Sequence, residues 1–247
     1  MLEIKNLSVA TNKNDILNDL DLKIDDNKIH VIMGPNGTGK STLCKTIIGE
    51  RDGLKVKGSI KYNNEELINM PINEISKKGI FMLFQSPLEI PGVTPAEMLR
   101  IALKERNIDK SVFEFSKELN AICDKLNIDK KLLHRGINER MSGGERKKME
   151  LLQVFVLKPS LILLDELDSG LDVDSLKSLS KSLLEYKSEN KCSIVIITHH
   201  MNILEFLKPD KVHILSDKKI SKSGDINLAK KIEKDGFNGT FNMIEEE

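Results

Sequence analysis

A glycine-rich run that ends in lysine and serine is the part of this sequence best suited to chemistry on phosphate. Residues 34–41 fit the pattern G-x-x-x-x-G-K-[ST], in which backbone N–H groups surround phosphate oxygens. We expect Lys40 to reach the β and γ phosphates and the Ser41 hydroxyl to coordinate Mg²⁺. The alternative, an ordinary glycine-rich turn, is disfavoured because a strand is predicted before the run and a helix after it. The predicted phosphate loop consists of Gly34, Pro35, Asn36, Gly37, Thr38, Gly39, Lys40 and Ser41.

Two adjacent acids follow a short apolar strand predicted at 161–164. Neighbouring side chains of a strand point in opposite directions, so the two carboxylates can serve two tasks. We expect Asp165 to hold Mg²⁺, directly or through water, and Glu166 to orient and deprotonate an attacking water. The alternative is a pair of solvated acids at a strand end. A phosphate loop in the same chain disfavours that alternative.

A second helix end suited to anions lies much later in the chain. Ser142, Gly143 and Gly144 precede a helix predicted over about 145–157, and a serine cap over glycines offers free N–H groups. An ordinary capped helix would look the same. However, a nucleotide held at 34–41 already has its phosphate cradle, so this second helix end requires a different role.

Alternating strands and helices must position these groups. Apolar alternations separated by Asn/Asp-rich turns predict strands within 1–33, and Thr94, Pro95 and Glu97 predict a capped helix start. From there to about 157 the pattern is helical, which indicates a helical subdomain at 93–157 between core segments 1–92 and 158–247. Strand and helix alternation implies a parallel sheet. Further strands are predicted at 29–33, 58–62, 79–84, 192–198 and 211–215, and helices at about 42–48, 175–186 and 202–207.

Composition limits the function classes. Thirty-eight basic and thirty-eight acidic residues cancel, so no global positive field favours nucleic acid. No apolar run approaches the roughly 20 residues of a membrane span, and the first residues do not look like a secretion signal, so we expect a cytosolic protein. Cys44, Cys123 and Cys192 are far apart and odd in number, which favours packing over a disulfide framework or a metal site.

Taken together, these motifs resemble the ABC ATPase family in residue type and in order. Residues 34–42 resemble Walker A, which adds Thr42 to the loop, and 161–165 resemble Walker B, with Glu166 after it. Gln85 resembles the Q-loop, 141–145 the signature and 169–172 the D-loop, and His199 resembles the switch histidine. It implies a P-loop fold with an N-terminal antiparallel β subdomain, a RecA-like parallel-sheet core and a helical subdomain. ATP and Mg²⁺ are the implied ligands.

The resemblance also implies a division of the site between two copies of the chain. In a head-to-tail dimer, Ser142 and Gly144 of one protomer would touch the γ-phosphate held by Lys40 of the other. Gln85 would sense Mg²⁺ and water, Asp172 would cross the dimer interface, and His199 would contact the γ-phosphate. The adjacent His200 matches no role in the family.

Several residues depart from the usual transporter pattern. Residues 141–150 are Met-Ser-Gly-Gly-Glu-Arg-Lys-Lys-Met-Glu, and Leu167-Asp168 follows the catalytic acid in place of Pro-Thr. These residues, with 84–92 and 208–215, resemble the ATPase subunits of SUF iron–sulfur cluster assembly machines. That resemblance implies a SufB and/or SufD scaffold as partner, docked near 85–93, and an ATP-dependent homodimer within the complex. The alternative is the ATP-binding subunit of a membrane importer.

A further expectation concerns the nucleotide. ABC proteins often stack adenine on an aromatic residue before the Walker A strand, but no Phe, Tyr or Trp precedes Tyr62. We therefore expect weak base selectivity.

Two alternative functions are disfavoured. The intact Glu166 argues against a scaffold that binds ATP without turnover. A DNA-repair protein of the family would need a longer insertion between the two Walker motifs than 41–161 can supply.

Overall fold

The computed structural model describes residues 1–198 and 200–242, the side chains of 238–242 excepted. The strands are β1 (Leu2–Ala10), β2 (Asp15–Ile24), β3 (Ile29–Met33), β4 (Lys55–Tyr62), β5 (Glu65–Glu66), β6 (Ile80–Leu83), β7 (Leu161–Asp165), β8 (Ser193–Ile197), β9 (Lys211–Ser216) and β10 (Lys219–Gly224). The helices are α1 (Lys40–Ile48), α2 (Ile72–Lys77), α3 (Pro95–Glu105), α4 (Val112–Leu126), α5 (Gly143–Leu157), α6 (Val173–Asn190), α7 (Met201–Leu207) and α8 (Ile226–Asn242), with a 3-10 helix at Lys130–His134.

The strands form two sheets with different patterns of burial. An antiparallel sheet has the order β2-β1-β4-β5, and its strands alternate buried and exposed side chains because one face is covered. The second sheet has the order β10-β9-β3-β8-β7-β6. Its β3, β7 and β8 are buried along their whole length, as expected for parallel strands covered on both faces.

Parallel pairing brings the carboxyl ends of the central strands to one edge of the second sheet. β3 pairs with β8 and β9, β8 pairs with β7, and β7 pairs with β6. The loop after β3, the acids at the end of β7 and the segment after β6 therefore lie at the same edge of the sheet, with β8 between β3 and β7. This edge is where open α/β sheets bind their ligands.

The helical region confirms one predicted cap and revises the predicted extent of the helix. Thr94 accepts a hydrogen bond from the Glu97 N–H, and Glu97 reaches back to the Thr94 N–H, so the predicted capping box is present. The helical pattern up to residue 157 is divided among α3, α4 and α5, with the 3-10 helix before α5. Asn127, in the left-handed conformation, ends α4.

Other boundaries differ from the sequence prediction at the chain's periphery. β10 and α8 were not predicted, and α6 extends beyond the expected 175–186 at both ends. β10 alternates exposed and half-buried residues, and Ile220 is its one apolar side chain, so the strand carries little hydrophobic signal. Within the described residues, Cys44, Cys123 and Cys192 are free and buried, and no helix is long and apolar enough to cross a membrane.

Candidate active site

The glycine loop lies between β3 and α1, as its sequence predicts. At Gly34 a Cβ atom would lie 2.2 Å from the carbonyl oxygen of Leu215, so only glycine fits against β9. Gly39 has a φ of 99°, and a Cβ there would meet the side chains of Ile16 and Leu17 at 2.9 Å. These close approaches fix the path of the loop, and α1 begins directly after it at Lys40.

Lys40 is the first residue of α1 and is held against the loop. Its Nζ donates to the carbonyl oxygens of Gly34, 2.8 Å away, and Pro35, 2.9 Å away. Burial lowers the pKa of Lys40, and the negative charges of Glu166 and Asp165 partly oppose that shift. The ammonium group thus lies inside a loop whose N–H groups can bind phosphate.

Ser41 and Asp165 meet at the carboxyl edge of the sheet. The Ser41 Oγ donates to Asp165 Oδ1 at 3.0 Å, and Asp165 is buried as the last residue of β7. Burial raises the pKa of Asp165, while the Ser41 hydrogen bond opposes this. A hydroxyl and a carboxylate are oxygen ligands of the kind Mg²⁺ takes, so these two side chains fit the cation.

The prediction that alternation along a strand separates the Asp165 and Glu166 side chains is wrong. β7 ends at Asp165, and Glu166 has a φ of 47°, in the left-handed region. Strand alternation therefore does not separate the two carboxylates; a backbone turn after the strand does. The Glu166 N–H donates to the Ile197 carbonyl oxygen at 3.0 Å, and Gln85 Nε2 donates to Glu166 Oε2 at 2.5 Å.

One cleft is lined by eight of the seventeen predicted site residues. It has a volume of about 530 Å³ and lies over the phosphate loop. A neighbouring recess shares Ile16 and Gly37 with it and continues toward Lys13, Asp15 and Lys218. The cleft is lined by Ile16, Asn36, Gly37, Gly39, Lys40, Ser41, Thr42, Gln85 and Glu166.

Ile16 is the cleft residue that the sequence prediction missed. It lies on β2, and the close approach of Gly39 places it beside the loop. No signal along the chain marks it, because its position depends on how the antiparallel sheet packs against α1. An aliphatic side chain here fits the expectation that no aromatic platform for a base precedes the loop.

The signature residues lie elsewhere. Among the described residues lining the cleft, none comes from 142–144, and Gly144 borders a separate recess with Leu171 and Ser175. Ser142 caps α5 in a capping box with Glu145, so that glutamate secures the helix start. The first N–H groups of α5 have no partner within the helix.

The loop after Glu166 runs beside the signature. A Cβ at Gly143 would lie 3.8 Å from the Gly170 carbonyl oxygen. Asp172 caps α6 by accepting from the Ser175 N–H at 2.8 Å and from its hydroxyl at 2.9 Å, and the N–H bond is the main reason that the pKa of Asp172 is lowered. Its predicted place at a dimer interface remains a prediction, and the predicted role of His199 falls outside the described residues.

Comparison with known proteins agrees with this geometry. A family model described as "ABC transporter" matches residues 17–169. "Probable ATP-dependent transporter ycf16" of Cyanidium caldarium is 40% identical over 96% of this chain and 95% of its own length, and "Vegetative protein 296" of Bacillus subtilis is 38% identical over 96% and 91%. A dimeric ATP-binding cassette solved with ADP and Pi has a TM-score of 0.79 at 22% identity, over 92% of this chain and 99% of its own, which shows the same fold.

Proposed function

Because this chain belongs to the ABC transporter family of ATPases, which bind and hydrolyse ATP, we propose that its turnover drives iron–sulfur cluster assembly in the manner of SufC. Its partner would be a SufB and/or SufD scaffold in the cytoplasm. In this proposal, 1–92 and 158–247 form the nucleotide-binding core and 93–157 the helical subdomain. The cleft over the phosphate loop is the proposed catalytic centre.

The phosphate loop and the sheet edge would hold the nucleotide. Residues 34–42 would surround the phosphates with backbone N–H groups, and Lys40 would exchange its bonds to loop carbonyls for the β and γ phosphates. Ser41 and Asp165 would hold Mg²⁺, which when bound neutralises charge on phosphate oxygens. The 3.0 Å approach of these two oxygens supports that assignment.

Glu166 would act on the attacking water. The water oxygen would attack the γ-phosphorus, the bond to the β–γ bridging oxygen would break, and the water proton would pass to the Glu166 carboxylate. Gln85 contacts that carboxylate at 2.5 Å, so it is placed to orient Glu166 and to respond to Mg²⁺. We propose that His199 completes this set at the γ-phosphate.

The separation of the two anion-binding ends supports a shared site. Because 142–144 lie away from the cleft of their own chain, Ser142 and Gly144 would complete the cleft of a second copy. Asp172, on the loop beside Gly143, would lie at the same boundary. Pairing of two chains head to tail would then be a condition of rapid hydrolysis.

The observation that carries the SufC assignment is that residues departing from the transporter pattern make specific contacts. Glu145 closes the capping box of α5, and Lys147 and Glu150 bind the backbone of Phe84. Asp168 accepts from the Thr198 hydroxyl at 3.1 Å, just before the switch histidine. Lys147, Glu150 and Asp168 therefore contact residues next to proposed catalytic residues, whereas Glu145 secures the signature helix.

The proposed docking segment, 85–93, is exposed and anchored. Leu88 is 81% exposed, and Ile90 and Val93 are also exposed apolar residues. The Asn138 side chain donates to the Leu88 carbonyl oxygen at 2.8 Å, and Ile90 forms a bridge with Ile137. A partner that binds this segment would thus act on both the helical region and Gln85.

Membrane import is the second candidate. Its support is that similar proteins from Streptococcus pyogenes, 38% identical over 97% of this chain, are described as "Probable ABC transporter ATP-binding protein". An importer subunit would use the same segment to bind an integral membrane protein. The two candidates therefore differ in the partner and not in the chemistry.

Affinity purification from the source cells under anaerobic conditions tests the proposal. We expect SufB or SufD to co-purify with the tagged chain and to raise its ATPase rate when added back. Recovery of an integral membrane protein in their place would decide for the importer. Leu88→Asp should abolish partner recovery, whereas Phe113→Asp, at a residue 78% exposed on α4, serves as the matched control and should leave it intact.

A further inference from the structure

α5 places two opposite charges in the protein interior. Lys147 and Glu150 lie one helical turn apart and are only 4% and 3% exposed, with Lys147 Nζ 3.1 Å from Glu150 Oε2. Burial strips water from both charges, and their mutual attraction often fails to offset that cost. A buried pair of this kind is therefore weak evidence of a role in stability alone.

Both side chains converge on the backbone of one residue. Glu150 Oε1 accepts a hydrogen bond from the Phe84 N–H at 3.0 Å, and Lys147 Nζ donates to the Phe84 carbonyl oxygen. β6 ends one residue earlier, at Leu83, so the sheet no longer pairs these groups. The ion pair takes over that pairing and fixes the chain where it leaves the sheet.

The next residue is Gln85, whose amide contacts the catalytic acid. With Phe84 held on both of its polar backbone groups, the Gln85 side chain starts from a fixed point, and its Nε2 lies 2.5 Å from Glu166 Oε2. The series Glu150, Phe84, Gln85, Glu166 thus connects α5 to the catalytic acid. α5 is also the helix whose start, at Ser142, is proposed to face the nucleotide of the second copy.

We infer that Lys147 and Glu150 are positioning residues for ATP hydrolysis, holding Gln85 at Glu166 and coupling its position to α5. The inference rests on the role proposed for Gln85 but not on the identity of the partner. Neither residue touches the cleft, so their effect passes through the Phe84 backbone. Movement of α5 on pairing of two copies would be transmitted to Gln85 by the same contacts.

Replacement of the whole pair tests the inference. Lys147→Met/Glu150→Leu exchanges the ions for apolar groups of similar volume, a change that proteins often accept without loss of stability. Because the Phe84 N–H and carbonyl oxygen lose their side-chain partners in this variant, we expect a modestly lower melting temperature. Assayed well below that temperature, its kcat for ATP should be reduced roughly 10- to 100-fold, with a KM for ATP within about twofold of the original. A kcat equal to that of the unaltered chain would overturn the inference.

A matched control and a conservative variant separate positioning from folding. Glu74 and Lys77 form an exposed pair with the same spacing on α2, 3.1 Å apart, and Glu74→Leu/Lys77→Met should leave kcat unchanged. Lys147→Met/Glu150→Gln keeps an acceptor for the Phe84 N–H and should recover part of the lost kcat. Equal losses in the Gln and Leu variants would contradict a link through Phe84.

Combination with Gln85→Ala identifies the path. If the pair acts through Gln85, adding its replacement to Gln85→Ala should lower kcat little further, whereas additive losses would overturn the inference. An unaltered kcat in Gln85→Ala alone would overturn the role proposed for Gln85 and this inference with it. If Gln85→Ala has a reduced kcat but Lys147→Met/Glu150→Leu does not, only the inference is overturned and the role of Gln85 stands.

Discussion

The Ser41 hydroxyl donates to Asp165 Oδ1 at 3.0 Å, although 124 positions separate the two residues in the chain. One belongs to the start of α1 and the other to the end of β7. Their meeting joins the phosphate loop to the sheet edge. In the proposed site these two oxygens would hold Mg²⁺.

Asp165→Asn should weaken Mg²⁺ binding. The amide keeps an oxygen but loses the charge, so we expect the Mg²⁺ concentration for half-maximal ATPase activity to rise about tenfold or more, equivalent to roughly 1.4 kcal/mol. The measurement is a Mg²⁺ titration at saturating ATP. Asp124→Asn, at an exposed acid paired with Lys130, is the control. Equal Mg²⁺ midpoints in the two variants would remove Asp165 from the metal site.

Glu166→Gln should separate ATP binding from turnover. Loss of the base is expected to lower kcat by about 10²- to 10⁴-fold, because the amide cannot accept the water proton. ATP should remain bound, so a dimer should accumulate, as measured by size-exclusion chromatography with ATP and Mg²⁺. A variant that hydrolyses normally and stays monomeric with ATP would contradict the assignment of the base.

Ser142→Ala should affect pairing beyond its effect on stability. Ser142 and Ser111 form matching capping boxes on α5 and α4, so each alanine substitution should cost about 1 kcal/mol of stability. Only Ser142→Ala should also weaken ATP-dependent dimerisation, which is measured in the Glu166→Gln background. If Ser111→Ala weakens dimerisation equally, the effect comes from helix stability and not from contact with the nucleotide.

Selectivity for ATP over GTP should be weak. Ile16 is the side chain that the cleft and its neighbouring recess share beside the loop, and an aliphatic surface distinguishes poorly between purines. We expect kcat/KM values within about a hundredfold, or about 2.7 kcal/mol. A larger preference for ATP would require hydrogen bonds to the adenine edge, and steady-state assays with both nucleotides provide the test.

The buried histidine pair should make stability depend on pH. His30 Nδ1 lies 2.9 Å from His213 Nε2, and burial lowers the pKa of His30 to about 4 and that of His213 to about 3. In the unfolded chain both histidines bind protons near the ordinary histidine pKa of 6.5. The stability that the neutral pair contributes is therefore fully present above about pH 6.5 and is lost as the pH falls toward about pH 4. At about pH 5 the loss should be about 2 kcal/mol for each histidine.

Thermal unfolding between about pH 6.5 and pH 5 measures this effect, and a variant that keeps every carboxylate but lacks the two histidines gives the carboxylate contribution by itself. His30→Gln/His213→Gln keeps polar side chains without the titration. Its melting temperature should therefore change little over this range. If it falls as steeply as in the unaltered chain, the histidine pair is not the cause.

Local patterns along the chain were sufficient to predict the elements nearest the site. The glycine loop and the predicted capping box of Thr94 and Glu97 depend on neighbours within a few positions, because backbone conformation and helix-end N–H groups are satisfied locally. The burial of β3 and β7 is likewise predicted by short apolar runs. β10 was not predicted because Ile220 is its one apolar residue, and its antiparallel pairing with β9 is seen only in the folded chain.

Contacts across the sheet edge required the tertiary structure. Three contacts join segments distant in sequence: the Glu166 N–H with the Ile197 carbonyl oxygen, Ile16 with Gly39, and Lys147 and Glu150 with Phe84. Residue types could predict which chemistry is present and in what order. They could not predict which side chains meet, because strand order and helix packing bring distant segments together, and these depend on the whole core.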